Sequence, residues 1–69
     1  MLLNVNRLIE LVIEKGMSYT ELAIESKISK TQISRIVNST KPNVRNTTIK
    51  SLADSLGVEC KEIIEGDVK

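Results

Sequence analysis

The stretch from Ser18 to Asn38, SYTELAIESKISKTQISRIVN, decides how this chain folds. Ser18 followed three residues later by Glu21 has the spacing of a capping box. In that arrangement the serine side chain takes the N–H of the fourth residue, and the acid reaches back to the N–H of the first. A helix starts there. The same spacing returns at Ser29 and Gln32, eleven residues on, which leaves room for about two turns of helix and a corner of three or four residues. This is helix-turn-helix spacing.

The second of these helices has two unlike sides. At about 100° per residue, Ile33, Ile36 and Val37 fall together. Opposite them gather Thr31, Ser34, Arg35 and Asn38, with Lys30 and Gln32 at the shoulders. That face carries donors and a guanidinium, and no acid. A helix so built fits the major groove of double-stranded DNA, where Arg can pair bidentately with guanine and Gln or Asn with adenine. Lys30, Thr31, Gln32, Ser34 and Arg35 are therefore the expected base-reading residues.

Charge along the chain agrees with this. From Lys27 to Lys50 there are six basic residues and no acidic ones, a charge of +6; the remainder carries four basic and nine acidic groups, −5, and the two parts sum to the net +1. A basic face with an acidic back suits a polyanion, since Lys and Arg opposite phosphates supply much of the affinity for DNA.

Composition excludes other classes. One cysteine and no histidine leave no internal disulfide, no zinc ligand set and no paired nucleophile and base, so no metal, cofactor or enzymatic activity is expected. Cys60 is expected as a small, partly buried residue. The nine carboxylates read as surface charge along helices. No apolar run approaches the roughly 20 residues that span a bilayer, and MLLNVNRL lacks a signal peptide's basic start and apolar core, so a cytoplasmic protein without membrane contact is expected. Sixty-nine residues make a single domain, 1–69, whose small core a partner subunit would reinforce. A homodimer is expected on that ground.

The rest of the chain supplies scaffold. Val5, Leu8, Ile9, Val12 and Ile13 mark a first helix from about Asn4 to Lys15, closed by a left-handed Gly16. The second helix, Tyr19 to about Ser26, buries Leu22 and Ala23, with Ile24 as a further candidate, while Ile28 plugs the corner. Its N-terminus, at Ser18 and Tyr19, presents free N–H groups and the positive dipole end to a phosphate. The Tyr19 hydroxyl either joins that phosphate or its ring simply packs. Residues 39–46, STKPNVRN, form a basic loop beside the groove, so Lys41 and Arg45 reach flanking phosphates. Asn46 or Thr47 caps a fourth helix with the stripe Ile49, Leu52, Ala53 and Leu56, ending at Gly57; Lys50 belongs either to DNA or to solvent. A last helix, about Glu59 to Glu65, holds Ile63 beside Ile64. One helix face cannot bury both, so either one of them meets a partner, with Val44 of the loop, or both pack internally. Residues 67–69 are expected to fray.

The run ELAIESKISKTQISRIVN, residues 21–38, resembles the helix-turn-helix of the phage-repressor family (Cro/cI-like, also called XRE). Glu21, Leu22, Ala23, Ile28, Ser29, Ile33, Ser34, Arg35, Ile36 and Asn38 occupy matching positions, TIKSLADSLGV at 48–58 is similar to the family's fourth helix, and KEIIEG at 61–66 resembles its fifth. The likeness spans nearly the whole chain. It implies an all-α, lambda-repressor-like bundle of five short helices, and adds Asn38 and Thr40 to the backbone contacts. It also implies binding to two-fold operators through a dimer that joins by the loop and C-terminal region, hence Val44, Ile63 and Ile64. Lys27 stands where the family has its turn glycine, so a non-glycine residue is expected in the left-handed region at a cost of about 1 kcal/mol. Asn38 is expected as a left-handed cap. The expected function is a DNA-binding transcriptional repressor of bacterial or phage type. The alternative is an antitoxin-type regulator whose main partner is a toxin protein.

Overall fold

The computed structural model describes residues 2–40 and 42–65. The elements are α1 (Val5–Glu14), α2 (Tyr19–Ser26), α3 (Lys30–Val37) and α4 (Asn46–Leu56), followed by one turn of 3-10 helix at Cys60–Glu62. No strand forms among these residues, although two isolated antiparallel bridges do, Leu2 with Asn43 and Leu3 with Ile64. The fraying expected of residues 67–69 lies outside the described residues.

Each helix start follows local chemistry. The Asn4 side chain accepts the Arg7 N–H at 3.1 Å and opens α1. Ser18 and Glu21 form both halves of the capping box, Ser18 Oγ accepting the Glu21 N–H at 3.1 Å and Glu21 Oε1 accepting the Ser18 N–H at 2.9 Å. Ser29 Oγ accepts the Gln32 N–H at 3.1 Å at the head of α3. The start of α4 departs from expectation: Arg45 is the extended residue before the helix, and it makes no side-chain cap. Asn46 and Thr47 are already helical and therefore cannot cap it.

The helix ends divide between two devices. Gly16, Lys27 and Gly57 take positive φ, at 67°, 61° and 70°, so the left-handed Lys27 is observed. Asn38 does not follow. Its φ is −92°, and the last carbonyls of α3 are met instead by side chains, Asn38 Nδ2 donating to the Ser34 carbonyl and Ser39 Oγ to that of Arg35, both at 2.8 Å. Two polar side chains here satisfy the groups that a left-handed residue would otherwise serve.

The core is built from Leu and Ile. Leu3, Leu8, Leu22, Ile33, Ile49, Leu52, Leu56 and Ile63 are wholly buried, and Val5, Leu11, Val12, Ile36 and Ala53 join them. Helix α2 packs on α3 and α4, α1 meets α3, and the 3-10 turn rests on α4. Two expected core positions are exposed, Ile13 and Ile24, each at 70 %. On α1, Leu11 and Ile13 lie ~160° apart around the axis, and only one flank of the Val5–Leu8–Val12 stripe can face the core. Leu11 takes it. On α2 the inward position after Leu22 goes to Ser26, which is buried with its hydroxyl donating back to the Leu22 carbonyl at 2.6 Å.

The expected fifth helix is reduced to the 3-10 turn. Beyond it the chain extends and pairs with residues 2–4, the Asn4 N–H donating to the Ile63 carbonyl and the Glu65 N–H to that of Leu2, each at 2.8 Å. Those bonds satisfy backbone groups that a helix would otherwise pair internally. Ile63 is wholly buried and belongs to its own chain's core, so it offers no surface to a partner; Ile64 is only partly buried.

Candidate nucleic-acid interface

Burial of Ile33 and Ile36 fixes the rotation of α3 and turns its other side outward. Lys30, Thr31, Gln32, Ser34 and Arg35 are all exposed. Between described residues, the side chains of Lys30, Thr31, Gln32 and Arg35 form no hydrogen bond or ion pair, nor do the charged ends of Lys27 and Arg45. The cations elsewhere are largely engaged. Arg7 pairs with Glu10 at 3.2 Å and Glu62 at 3.5 Å, and Lys61 with Glu59 at 3.6 Å. The hydrogen bond it donates to Glu10, helped by Glu14 and Glu62, holds the Arg7 guanidinium above its ordinary pKa. Lys50 is bound to Asp54 on the next turn of α4 at 3.1 Å, which places it with a carboxylate rather than among the uncommitted cations.

The loop after α3 completes a shallow groove. One hollow is lined by Thr31, Gln32, Arg35, Pro42, Asn43 and Val44 among others, and its neighbour by Gln32, Asn43, Val44, Arg45, Thr47 and Thr48. Gln32 borders both. The structure thus brings Thr31, Gln32, Arg35, Val44 and Arg45 to one continuous surface, while Lys30 and Ser34 stand on the same helix beside it. Asn43, Thr47 and Thr48 also line this surface and were not singled out from sequence. Asn43 had a signal, as a polar residue of the acid-free loop that sequence places beside the groove, whereas Thr47 and Thr48 belong to a helix whose position sequence does not set.

Other expected contacts lie apart. Thr40 faces a separate hollow with Asn4, Asn6, Arg7, Glu10 and Glu65, where carboxylates are close by. Asn38 is exposed, with its amide already bonded to the Ser34 carbonyl. Lys41 lies outside the described residues. At the head of α2, Ser18 and Glu21 have tied up two backbone donors between them, so the N–H groups of Tyr19 and Thr20 are those left to meet an anion. Tyr19 is 37 % exposed, and it lines an apolar hollow with Ile9, Val12, Ile13 and Met17. That position accommodates a packed ring with its edge toward solvent.

Among the described residues no group of three or more His, Cys, Asp or Glu side chains could hold a metal ion, and no helix is long and apolar enough to cross a membrane. What the site offers is an array of hydrogen-bond donors and positive charge on the exposed side of a packed helix. A family model described as the Cro/C1-type HTH DNA-binding domain matches residues 7–67. No curated protein and no solved structure matches the chain.

Proposed function

Because the chain belongs to the Cro/C1-type helix-turn-helix family of DNA-binding domains, we propose that it is a sequence-specific transcriptional repressor that binds a two-fold operator as a homodimer. The observation that carries this reading is the exposed, acid-free and uncommitted face of α3. With α3 in the major groove, Arg35 and Gln32 are the bidentate readers of guanine and adenine, and Lys30, Thr31 and Ser34 read adjacent base edges. Ser18, Tyr19, Asn38, Thr40, Lys41 and Arg45 hold the sugar-phosphate backbone, which sets position and register without selecting sequence. Two copies joined through Val44 and Ile64 would place their α3 helices about one DNA turn, ~34 Å, apart.

Selection of bound duplexes from a random library at two salt concentrations tests this. The expected result is an enriched two-fold motif whose affinity falls as salt rises, because counterions displaced from phosphates are released on binding. Binding with a steep salt dependence and no motif would overturn sequence-specific readout. A motif without two-fold symmetry would overturn the dimer.

A further inference from the structure

Residues 2–4 run between two segments that are far apart in sequence. On one side the Leu3 N–H donates to the Pro42 carbonyl at 2.9 Å, and Leu2 forms an antiparallel bridge with Asn43. On the other side the Asn4 N–H donates to the Ile63 carbonyl and the Glu65 N–H to the Leu2 carbonyl, each at 2.8 Å, around the bridge between Leu3 and Ile64. The Leu3 side chain is wholly buried in the core, which pins the segment in place. Pro42, Asn43 and Val44 form the loop wall of the groove whose other wall is Thr31, Gln32 and Arg35. The first residues of the chain therefore hold one side of the surface that faces DNA, although they lie outside it.

We propose that residues 2–4 are a positioning segment of the DNA interface, fixing the loop 42–44 at the distance from α3 that lets Arg45 reach a phosphate while Gln32 and Arg35 engage base edges. The inference rests on the DNA-binding reading. Pro42 has no N–H of its own, and its carbonyl is held by the Leu3 N–H at 2.9 Å. A loop released from that hold has to be ordered at the moment of binding, and affinity falls accordingly. Because the loop carries backbone contacts, base preference is retained.

The test is a chemically synthesised full chain in which the amide nitrogen of Leu3 is replaced by an ester oxygen, which removes the donor to Pro42 and keeps the side chain. The same exchange at Glu65 removes the donor to Leu2 and serves as a matched change on the C-terminal side. Amide hydrogen exchange and nitrogen relaxation at residues 43–45 are measured in the free chain, and affinity is measured on the selected duplex. The Leu3 ester is expected to loosen residues 43–45 and weaken binding about five- to tenfold, the scale of one lost hydrogen bond, with the same base preference. The Glu65 ester leaves residues 43–45 ordered. Unchanged order at 43–45 in the Leu3 ester, or equal loss of affinity in both esters, would overturn the proposal. If the unmodified chain selects no duplex, the DNA reading fails, and the relaxation data still decide whether the segment positions the loop.

Discussion

Lys27 sits at φ 61° between α2 and α3, in a region that side chains with a Cβ enter at a cost of about 1 kcal/mol or more. It is exposed and forms no ion pair with the described residues, so little offsets that cost locally. Lys27→Gly is expected to stabilise the fold by about 0.5 to 1 kcal/mol, less than the full strain because glycine also gains freedom in the unfolded chain; urea unfolding at constant slope measures it. Arg35 acts on a different balance. Its guanidinium forms no ion pair with the described residues, and no partner among them is lost when it is removed. Arg35→Ala should leave stability nearly unchanged and relax preference at one base pair by about 1 to 3 kcal/mol. Titrations against the selected operator and single-base variants check this, and equal losses on every duplex would remove Arg35 from the base-reading set.

At the scale of elements, what sequence could show depended on how local the determining forces were. The capping box at Ser18 and Glu21, the Ser29 cap, the stripe of α4 and the glycine at its end were all legible, because each is decided within a few residues. The end of the chain was not. Residues 59–65 have a helical pattern, but the carbonyl of Ile63 and the amide of Glu65 are taken by residues 2–4, a contact across nearly the whole sequence that periodicity cannot show. The same holds for Leu11 against Ile13, where packing on α3 chose between two apolar flanks. The reading face of α3 was legible since it is the complement of Ile33 and Ile36, whereas Thr47 and Thr48 entered the groove only through the loop's tertiary position. The local devices are testable as such. Ser18→Ala removes the acceptor for the Glu21 N–H but keeps the backbone N–H that Glu21 accepts, and should destabilise by about 1 kcal/mol, measured by thermal unfolding. A loss near zero would mean that the α2 start is held by packing alone.

Across the whole molecule, charge and assembly are linked. Among the described residues, Lys27, Lys30, Arg35 and Arg45 form no ion pair, while Arg7, Lys50 and Lys61 are paired with acids, so the positive potential belongs mainly to the side that carries α3. Self-association has to leave the exposed face of α3 free. Ile64, partly buried beside the pairing of Leu3, is the surviving apolar candidate of the C-terminal pair, and Val44 borders the groove nearby. Ile64→Asp is expected to shift a dimer to monomer in sedimentation and to weaken operator binding at least tenfold, with each half-site still recognised. An unchanged sedimentation coefficient would move the interface elsewhere.

The placement of Tyr19 also has an optical consequence. The chain has no tryptophan and no phenylalanine, and this is its one tyrosine, so intrinsic fluorescence and near-ultraviolet dichroism both originate from a single ring at the head of α2. The protein carries its own site-specific probe without labelling. A change in tyrosine emission on adding duplex reports on that helix end alone, and an unfolding curve followed by the same signal describes the seam between α1 and α2 before it describes anything else.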